Sequence, residues 1–421
     1  MKNRISKAIR ISLLLISGVA LAQTSNNVTV NHGQLYVLPN TLMATHADFE
    51  NSNSGVVFND GEFQFYKNYT NNGMFTHSTN ATTGYTVFQG SEPQVIAGSQ
   101  PSIHFDLLFN NNSAAYPFQL NNDFIVDGTA NFANGIVIIN ENQEGAMLFT
   151  EKADHLNVSN KSYAEGKVEK VGNKPFTFPV GKSQYYRAAS IGAPKTIADS
   201  FKAEYFLENS NTIHSHFNKT GVILLIDDAE YWTISRDNQQ SHVILSLTWN
   251  ENTTPTELIN EIDNLRIIRW DANQNLWVNE GGIVDTASKT VTTPLAVEDF
   301  GIFTLGLVKP EVILPGDVVV YNYLTTNGND KNDYLIIDNI DRYPNNNLQI
   351  FNRYGVKVYE TSSYGTKGNV FAGYSEGKMT IDKDSKLPTG TYYYILNYEK
   401  TDAPGGAQTV KKAGYIHLEN N

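Results

Sequence analysis

Asn59-Asp60-Gly61-Glu62-Phe63-Gln64-Phe65-Tyr66-Lys67-Asn68-Tyr69-Thr70-Asn71-Asn72-Gly73-Met74-Phe75 is the stretch on which the reading of the fold turns. Two turn signals, Asn59-Asp60-Gly61 and Asn71-Asn72-Gly73, stand twelve residues apart. Each is followed by apolar side chains, Phe63-x-Phe65 after the first and Met74-Phe75 after the second. Asn hydrogen-bonds nearby backbone and tolerates left-handed conformations, and Gly does so at no steric cost, so such groups punctuate short strands. Gly84 continues the spacing approximately. Further on come Phe105-x-Leu107-Leu108-Phe109 before three asparagines, Phe118-x-Leu120, Phe124-Ile125-Val126-Asp127-Gly128, and Ala133-Asn134-Gly135 before Ile136-Val137-Ile138-Ile139. Short strands at near-regular spacing fit a sandwich or a solenoid. The solenoid is the preferred expectation for residues 23–165, because a single rung cannot bury its inner side chains and stacking buries a continuous core.

Composition supports an all-β chain. Of 421 residues, 23 are Tyr and 21 Phe, and only 18% are charged. Aromatic and β-branched residues suit half-buried pleated surfaces. The net charge of −12 excludes nucleic acid as an expected partner, since binding phosphates needs clustered Lys and Arg. There is no cysteine, which rules out disulfide staples, thiol nucleophiles and Cys-ligated metals. Residues 1–22 have the layout of a secretory signal peptide. Lys2, Arg4, Lys7 and Arg10 precede an apolar run, and Ala20-Leu21-Ala22 places small residues at −3 and −1 of a cleavage site before Gln23.

Residues 166–310 change character. Phe176-Thr177-Phe178-Pro179-Val180-Gly181, Tyr185-Tyr186-Arg187, Glu230-Tyr231-Trp232, Val243 to Trp249, Leu265 to Trp270, Leu276-Trp277-Val278 and Phe300 to Leu305 include several alternating segments, which predicts a β-sandwich of seven or more strands. Thr254 to Asn264 is the plausible helical stretch. The Phe176–Gly181 phrase, the Glu230-Tyr231-Trp232 step and Arg269-Trp270-Asp271 followed by Trp277 resemble a domain recurring in outer-surface proteins of Bacteroidota, a resemblance that carries no activity.

Residues 311–421 predict a compact C-terminal Ig-like β-sandwich. Ile350, Val356, Val358, Tyr392, Tyr394 and Leu396 can alternate inward, Pro388-Thr389-Gly390 makes a turn into a Tyr-rich strand, and Gly355 offers positive φ for a hairpin. Two tracts carry a specific resemblance. Tyr343-Pro344, the asparagines after them, then Ile350-Phe351-Asn352-Arg353, an aromatic and Gly355 form the first. Leu387-Pro388-x-Gly390-Thr391-Tyr392-x-Tyr394 forms the second. In this order and at this place they resemble the gliding motility-associated C-terminal domain, the type B sorting signal of type IX secretion. The resemblance implies an exported protein, kept at the cell surface or released. Its implied partners are the type IX outer-membrane translocon and an outer-membrane surface anchor.

The tail departs from the family pattern where Thr326, Asn329 and Asp330 replace Pro, Asp and Gly, and where Phe371-Ala372-Gly373 replaces Trp-Asp-Gly. The loop with Asn327, Asn329, Asp330 and Asp333 has oxygens for a hard cation such as calcium. The preferred reading is a solvated turn without a cofactor.

Other chemistry is thin. Gly181-Lys182-Ser183 ends like a phosphate loop but has Phe176 where Gly belongs, so a hairpin turn is expected. His214-x-His216 has no further metal ligands nearby in sequence. Asp227-Asp228-x-Glu230 puts its adjacent carboxylates on opposite faces of a strand. Trp232, Trp249, Trp270 and Trp277 sit in alternating apolar segments and are expected in the core rather than open to sugar rings. Two functional classes follow. One is a non-catalytic structural or adhesive surface protein that displays the solenoid. The alternative is a glycan-binding or glycan-cleaving protein that uses the solenoid flank, marked by outward aromatics or paired carboxylates.

Overall fold

The computed structural model describes residues 27–143, 145–237, 241–309, 317–326, 333–375, 386–400 and 408–420. The segment expected to be a signal peptide, with Ala20 and Ala22, lies outside them. So do Asn327, Asn329 and Asp330 of the cation loop.

The N-terminal region is a three-faced parallel β-solenoid of about six turns. Face one runs from Val28–Asn31 through Asp48–Asn51 and Tyr69–Asn71 to Ala164–Glu165. Face two runs from Gln34–Val37 through Val56–Asn59 to Val168–Val171. Face three runs from Leu42–Thr45 through Glu62–Phe65 to Asp154–Leu156. Alternate side chains point inward. Phe65, Phe88, Phe109 and Phe132 stack up face three, with successive ring centroids 5.3, 6.0 and 5.5 Å apart. Beside them runs an amide ladder. Asn31 Nδ2 donates to Asn51 Oδ1 at 2.9 Å, Asn51 Nδ2 donates to Asn71 Oδ1 at 2.8 Å, and Asn71 Nδ2 donates to the carbonyls of Gln100 and Pro101 at 3.0 Å. Asn51 and Asn71 are fully buried and find their partners on neighbouring rungs, while Asn31 at the open end is half-buried.

The opening stretch is explained by stacking rather than by backbone handedness. Gly61 and Gly73 do not have positive φ. A Cβ on Gly73 would lie 2.3 Å from the carbonyls of both Gly55 and Ser52. One on Gly61 would lie 2.3 Å from that of Leu38. Glycine is needed at these corners because the preceding turn of chain passes directly against them. The twelve-residue spacing spans two sides of the triangle. The axial repeat is 20 residues between Asn31, Asn51 and Asn71, and it stretches to 27 between Asn68 and Val95, where the connection from Thr76 to Tyr85 is lengthened.

His104 faces inward on the solenoid, with its ring centroid 4.4 Å from Phe124 and 5.1 Å from Phe75. Its Nδ1 lies 3.0 Å from Thr86 Oγ1. Burial, assisted by nearby His77, pushes its pKa down to about 3. At the far end of the solenoid, Lys170 Nζ turns into the corner and donates to the carbonyls of Thr150 (2.6 Å), Ala153 (2.7 Å) and Glu151 (3.1 Å). Burial lowers its pKa to about 8 against the pull of Asp154 and Glu151.

Face two does not stop at Val171. Val168–Val171 pairs antiparallel with Ser200–Phe206, and the ladder continues through Tyr231–Arg236, Gly301–Val308, Leu265–Asp271 and Leu276–Gly281. A second sheet of Phe176–Phe178, Ala189–Ile191, Leu245–Thr248, Thr290–Thr292 and Ile283–Asp285 completes the expected sandwich. Solenoid and sandwich share one hydrophobic core, from Val37 to Leu307. The helical expectation at Thr254–Asn264 is met by a four-residue helix, Thr256–Ile259, and a 3-10 turn, Ile262–Asn264. Gly181–Lys182 pairs with Tyr185–Tyr186 across Ser183 and Gln184, which have φ of 53° and 67°. That is the two-residue hairpin with both central residues left-handed, and the phosphate-loop reading is excluded there.

Candidate functional site

The C-terminal module has its own core, of which Leu324, Leu335, Leu348, Ile350, Leu396, Ile416 and Leu418 are the most deeply buried. Its main sheet orders Tyr323–Thr325, Gln408–Glu419, Gly390–Lys400, Asn346–Phe351 and Lys357–Ser362 as neighbours. A small pair, Val319–Val320 with Ile337–Asp338, lies apart from it.

Both motif tracts are brought onto this sheet, and their residues divide by role. Ile350, Leu387, Tyr392 and Tyr394 are buried in the core. Tyr392 carries a second duty, because its hydroxyl donates to the Pro388 carbonyl at 2.8 Å and ties the strand to the turn before it. Asn352 and Gly355 build the hairpin. Asn352 Oδ1 accepts from the N–H groups of Tyr354 (2.9 Å) and Val356 (3.0 Å), and Gly355 has φ 74°. Tyr343 is half-buried against Tyr398, with centroids 4.9 Å apart. Phe351, Gly390 and Thr391 are half-buried in the sheet, and Val356 lies outside the core. Pro344, Arg353 and Pro388 are exposed. Arg353 lies over the Tyr354 ring at 4.8 Å and donates to its hydroxyl at 2.6 Å. Most of the motif therefore holds the module together. What is left for an outside partner is the exposed set around Pro344, Arg353, Tyr354 and Pro388.

Asn346, one of the asparagines of the first tract, and Tyr364, outside both tracts, complete the scaffold. Asn346 donates to the carbonyls of Tyr343 (2.8 Å) and Tyr364 (3.2 Å) and accepts from the Tyr364 N–H at 2.7 Å. The Tyr364 hydroxyl, in turn, donates to the Leu335 carbonyl and accepts from the Phe371 N–H at 3.2 Å. Among the run Asn345-Asn346-Asn347, only the alternation set by Leu348 and Ile350 distinguishes Asn346 as inward-facing.

The module rests on the sandwich. The Cβ position of Gly192 is 3.4 Å from the Tyr354 carbonyl, and that of Gly355 is 3.5 Å from Ile244 Cγ1. Tyr393 is buried although it points away from the module core. Burial raises its pKa, a shift offset in part by a hydrogen bond with Thr292 of the sandwich.

Elsewhere the candidate chemistry resolves into packing. Glu230 is fully buried and meets Arg187 side-on, Nε to Oε2 at 2.9 Å and Nη2 to Oε1 at 2.6 Å. Tyr205 and Thr254 hydroxyls add bonds of 2.6 Å each, and Trp232 Nε1 donates to the Arg187 carbonyl at 2.9 Å. Asp227 accepts from the N–H groups of Ala229 (2.8 Å) and Glu230 (3.2 Å). Burial, then the charge of Glu230, hold its pKa well above the usual carboxylate range. His214 stacks on Trp270 at 4.0 Å, and His216 Nε2 lies 2.9 Å from Ser210 Oγ. Among the described residues, no group of three or more His, Asp or Glu is placed to hold a metal ion. All four tryptophans are buried.

The solenoid flank is dressed with amides. Gln89 bonds Gln64 (3.0 Å), Asn134 bonds Asn110 (2.9 Å), Asn157 bonds Asn131 (2.9 Å) and Asn140 bonds Asn121 (2.6 Å), each link joining neighbouring rungs. Outward rings occur as Tyr36 on Phe58, His46 on Tyr66 and His77 against Phe105, and Tyr85 stands between Glu62 and Asp106 on face three. The carboxylates of Glu62, Asp106 and Asp154 fall on alternate rungs of face three, roughly 10 Å apart.

Residues 318–418 match the CHU_C Type IX secretion signal domain family. No curated protein and no solved structure matches the chain. A type IX sorting domain at this position marks the chain as type IX secretion cargo. It implies export to the cell surface or the medium, and interaction with the type IX machinery.

Proposed function

We propose that this type IX cargo is a non-catalytic structural or adhesive surface protein, whose solenoid is the displayed part and whose C-terminal module directs outer-membrane translocation and retention. The observation that carries the reading is the amide-linked flank. Asn and Gln side chains bond to each other along the axis, and between them the outward carboxylates of Glu62, Asp106 and Asp154 stand roughly 10 Å apart, wider than the carboxyl pair of a glycosidase. A buried ion pair and buried tryptophans in the sandwich serve the same end, since they fix one packing for a body without disulfides. Retention is expected to use an outer-membrane anchor that reads the exposed residues Arg353 and Tyr354 and the Pro344 and Pro388 turns.

Localisation tests this. In a host with a type IX system, the intact chain and one ending at Pro310 are compared by protease shaving of whole cells and by fractionation. The expected result is surface or medium delivery of the intact chain and periplasmic retention of the shortened one. Equal export of both, or retention of both, removes the sorting role from the tail. Unchanged cell–surface attachment after deletion of the whole protein removes the adhesive role.

A further inference from the structure

The first rung departs from every other part of the solenoid. From Asn27 to Ala47 the sequence has no Asp, Glu, Lys or Arg. Apart from Gln34, its outward strand positions are apolar and open, with Tyr36 53% and Leu42 61% exposed, Val28 and Val30 exposed beside them, and Leu38 in the corner 59% exposed. Among the described residues, no strand pairs with the outer edges of Val28–Asn31, Gln34–Val37 or Leu42–Thr45. Soluble β proteins protect open edges with Lys, Pro, bulges or inward charges. Here three parallel edges end together, and only Pro39, in the corner after Leu38, answers to that description. The next rung, by contrast, presents Asp48, Glu50 and Glu62.

We propose that this rung is a self-association surface, through which two copies of the chain pair end to end about a two-fold axis. Three observations select a second copy as the occupant. Extending all three edges at once requires a partner that presents three strands on the same triangular outline, which the same end of another copy does. The far end of the solenoid is unsuitable, because Val168–Val171 is already paired with Ser200–Phe206 and the Ala164 N–H bonds the Pro179 carbonyl at 2.8 Å. Head-to-tail stacking is thereby excluded, and the contact closes as an isologous pair. Finally, copies with a net charge of −12 repel, and the charge-free rung is where two of them can approach at least cost. In such a pair each Gln34–Val37 strand meets its mate antiparallel, while the Val28–Asn31 edge meets the Leu42–Thr45 edge of the other copy.

Sedimentation velocity of the chain from Gln23 to Asn421, over a range of about 1 to 100 µM, reads the association directly. The expected result is reversible conversion to twice the monomer mass and no further. Tyr36→Lys with Leu42→Lys is expected to weaken association about tenfold or more, with an unchanged circular dichroism spectrum. Because the chain has no cysteine, Tyr36→Cys, which the antiparallel pairing places beside the two-fold axis, is expected to give a covalent dimer on mild oxidation. A wild-type chain that stays monomeric throughout overturns the proposal. So do masses climbing past two copies, undiminished pairing of the lysine variant, or a monomer that instead takes an oligosaccharide in the hollow of about 710 Å³ beside Thr29, Met43 and His46.

Discussion

His104 offers a test of how tightly the solenoid core excludes charge. Its imidazole sits among Phe75, Phe88 and Phe124 with a single described hydrogen-bond partner, Thr86, and its pKa is pushed down to about 3. An unfolded histidine titrates near 6.5. Below that value the unfolded chain takes up a proton that the folded chain refuses, so stability falls as the pH drops from about 6.5 towards 3. Between pH 7 and pH 4.5 the linkage amounts to about 2.5 kcal/mol from this one residue. The comparison is with His104→Asn, whose amide can keep the Thr86 bond but cannot titrate. Urea unfolding followed by circular dichroism at both pH values gives each protein's loss of stability, and carboxylates elsewhere contribute equally to both. The wild type is expected to lose about 2.5 kcal/mol more than the variant over this interval. Equal losses, within about 0.5 kcal/mol, would mean that the ring reaches solvent or protonates in place, and the account of a dry core would fail.

Other expectations follow from single contacts. Glu230→Gln leaves the Arg187 guanidinium buried without a counter-charge and is expected to cost about 3–5 kcal/mol in chemical denaturation, whereas replacing both partners by apolar residues costs less. Gly73→Ala places a Cβ against two carbonyls of the preceding turn and is expected to cost about 2–3 kcal/mol; a fully tolerated alanine would refute the close approach. Tyr392→Phe removes the bond to the Pro388 carbonyl and is expected to destabilise the C-terminal module by about 1 kcal/mol, read by hydrogen exchange of the Gly390–Lys400 strand, with the solenoid amides unchanged.

What the sequence made legible was local. The alternation of Ile350, Tyr392, Tyr394 and Leu396 fixes their inward direction because a strand has period two, and the Asn352–Gly355 hairpin follows from turn chemistry within four residues. The solenoid was harder to separate from a sandwich, because lengthened corners change the axial step from 20 to 27 residues and blur any repeat. Val168–Val171 and Ser200–Phe206 both lie in the region 166–310 that the sequence sets apart, so neither segment announces that the first closes a solenoid face and that their pairing carries this face into the sandwich. The Arg187–Glu230 pair spans 43 residues, so the fate of Glu230 was beyond reach of spacing arguments. The charge-free run from Asn27 to Ala47 was visible, but its meaning depends on knowing that it forms an end. The motif residues of the tail were identified by type. Which of them hold the module and which face outward needed their neighbours.

The unbroken ladder from the solenoid into the sandwich removes any hinge between them. Six steps of about 4.8 Å hold the first rung roughly 29 Å beyond the sandwich as a rigid strut. The tail is seated on the sandwich through Tyr354 and Gly355, so its support is the end of the strut that does not carry the open rung. Two molecules joined rung to rung would therefore point their tails away from each other. Such a pair fits poorly on one flat membrane and fits naturally across the gap between two, so the stiffness of this sheet decides whether the protein would decorate a surface or bridge neighbouring ones.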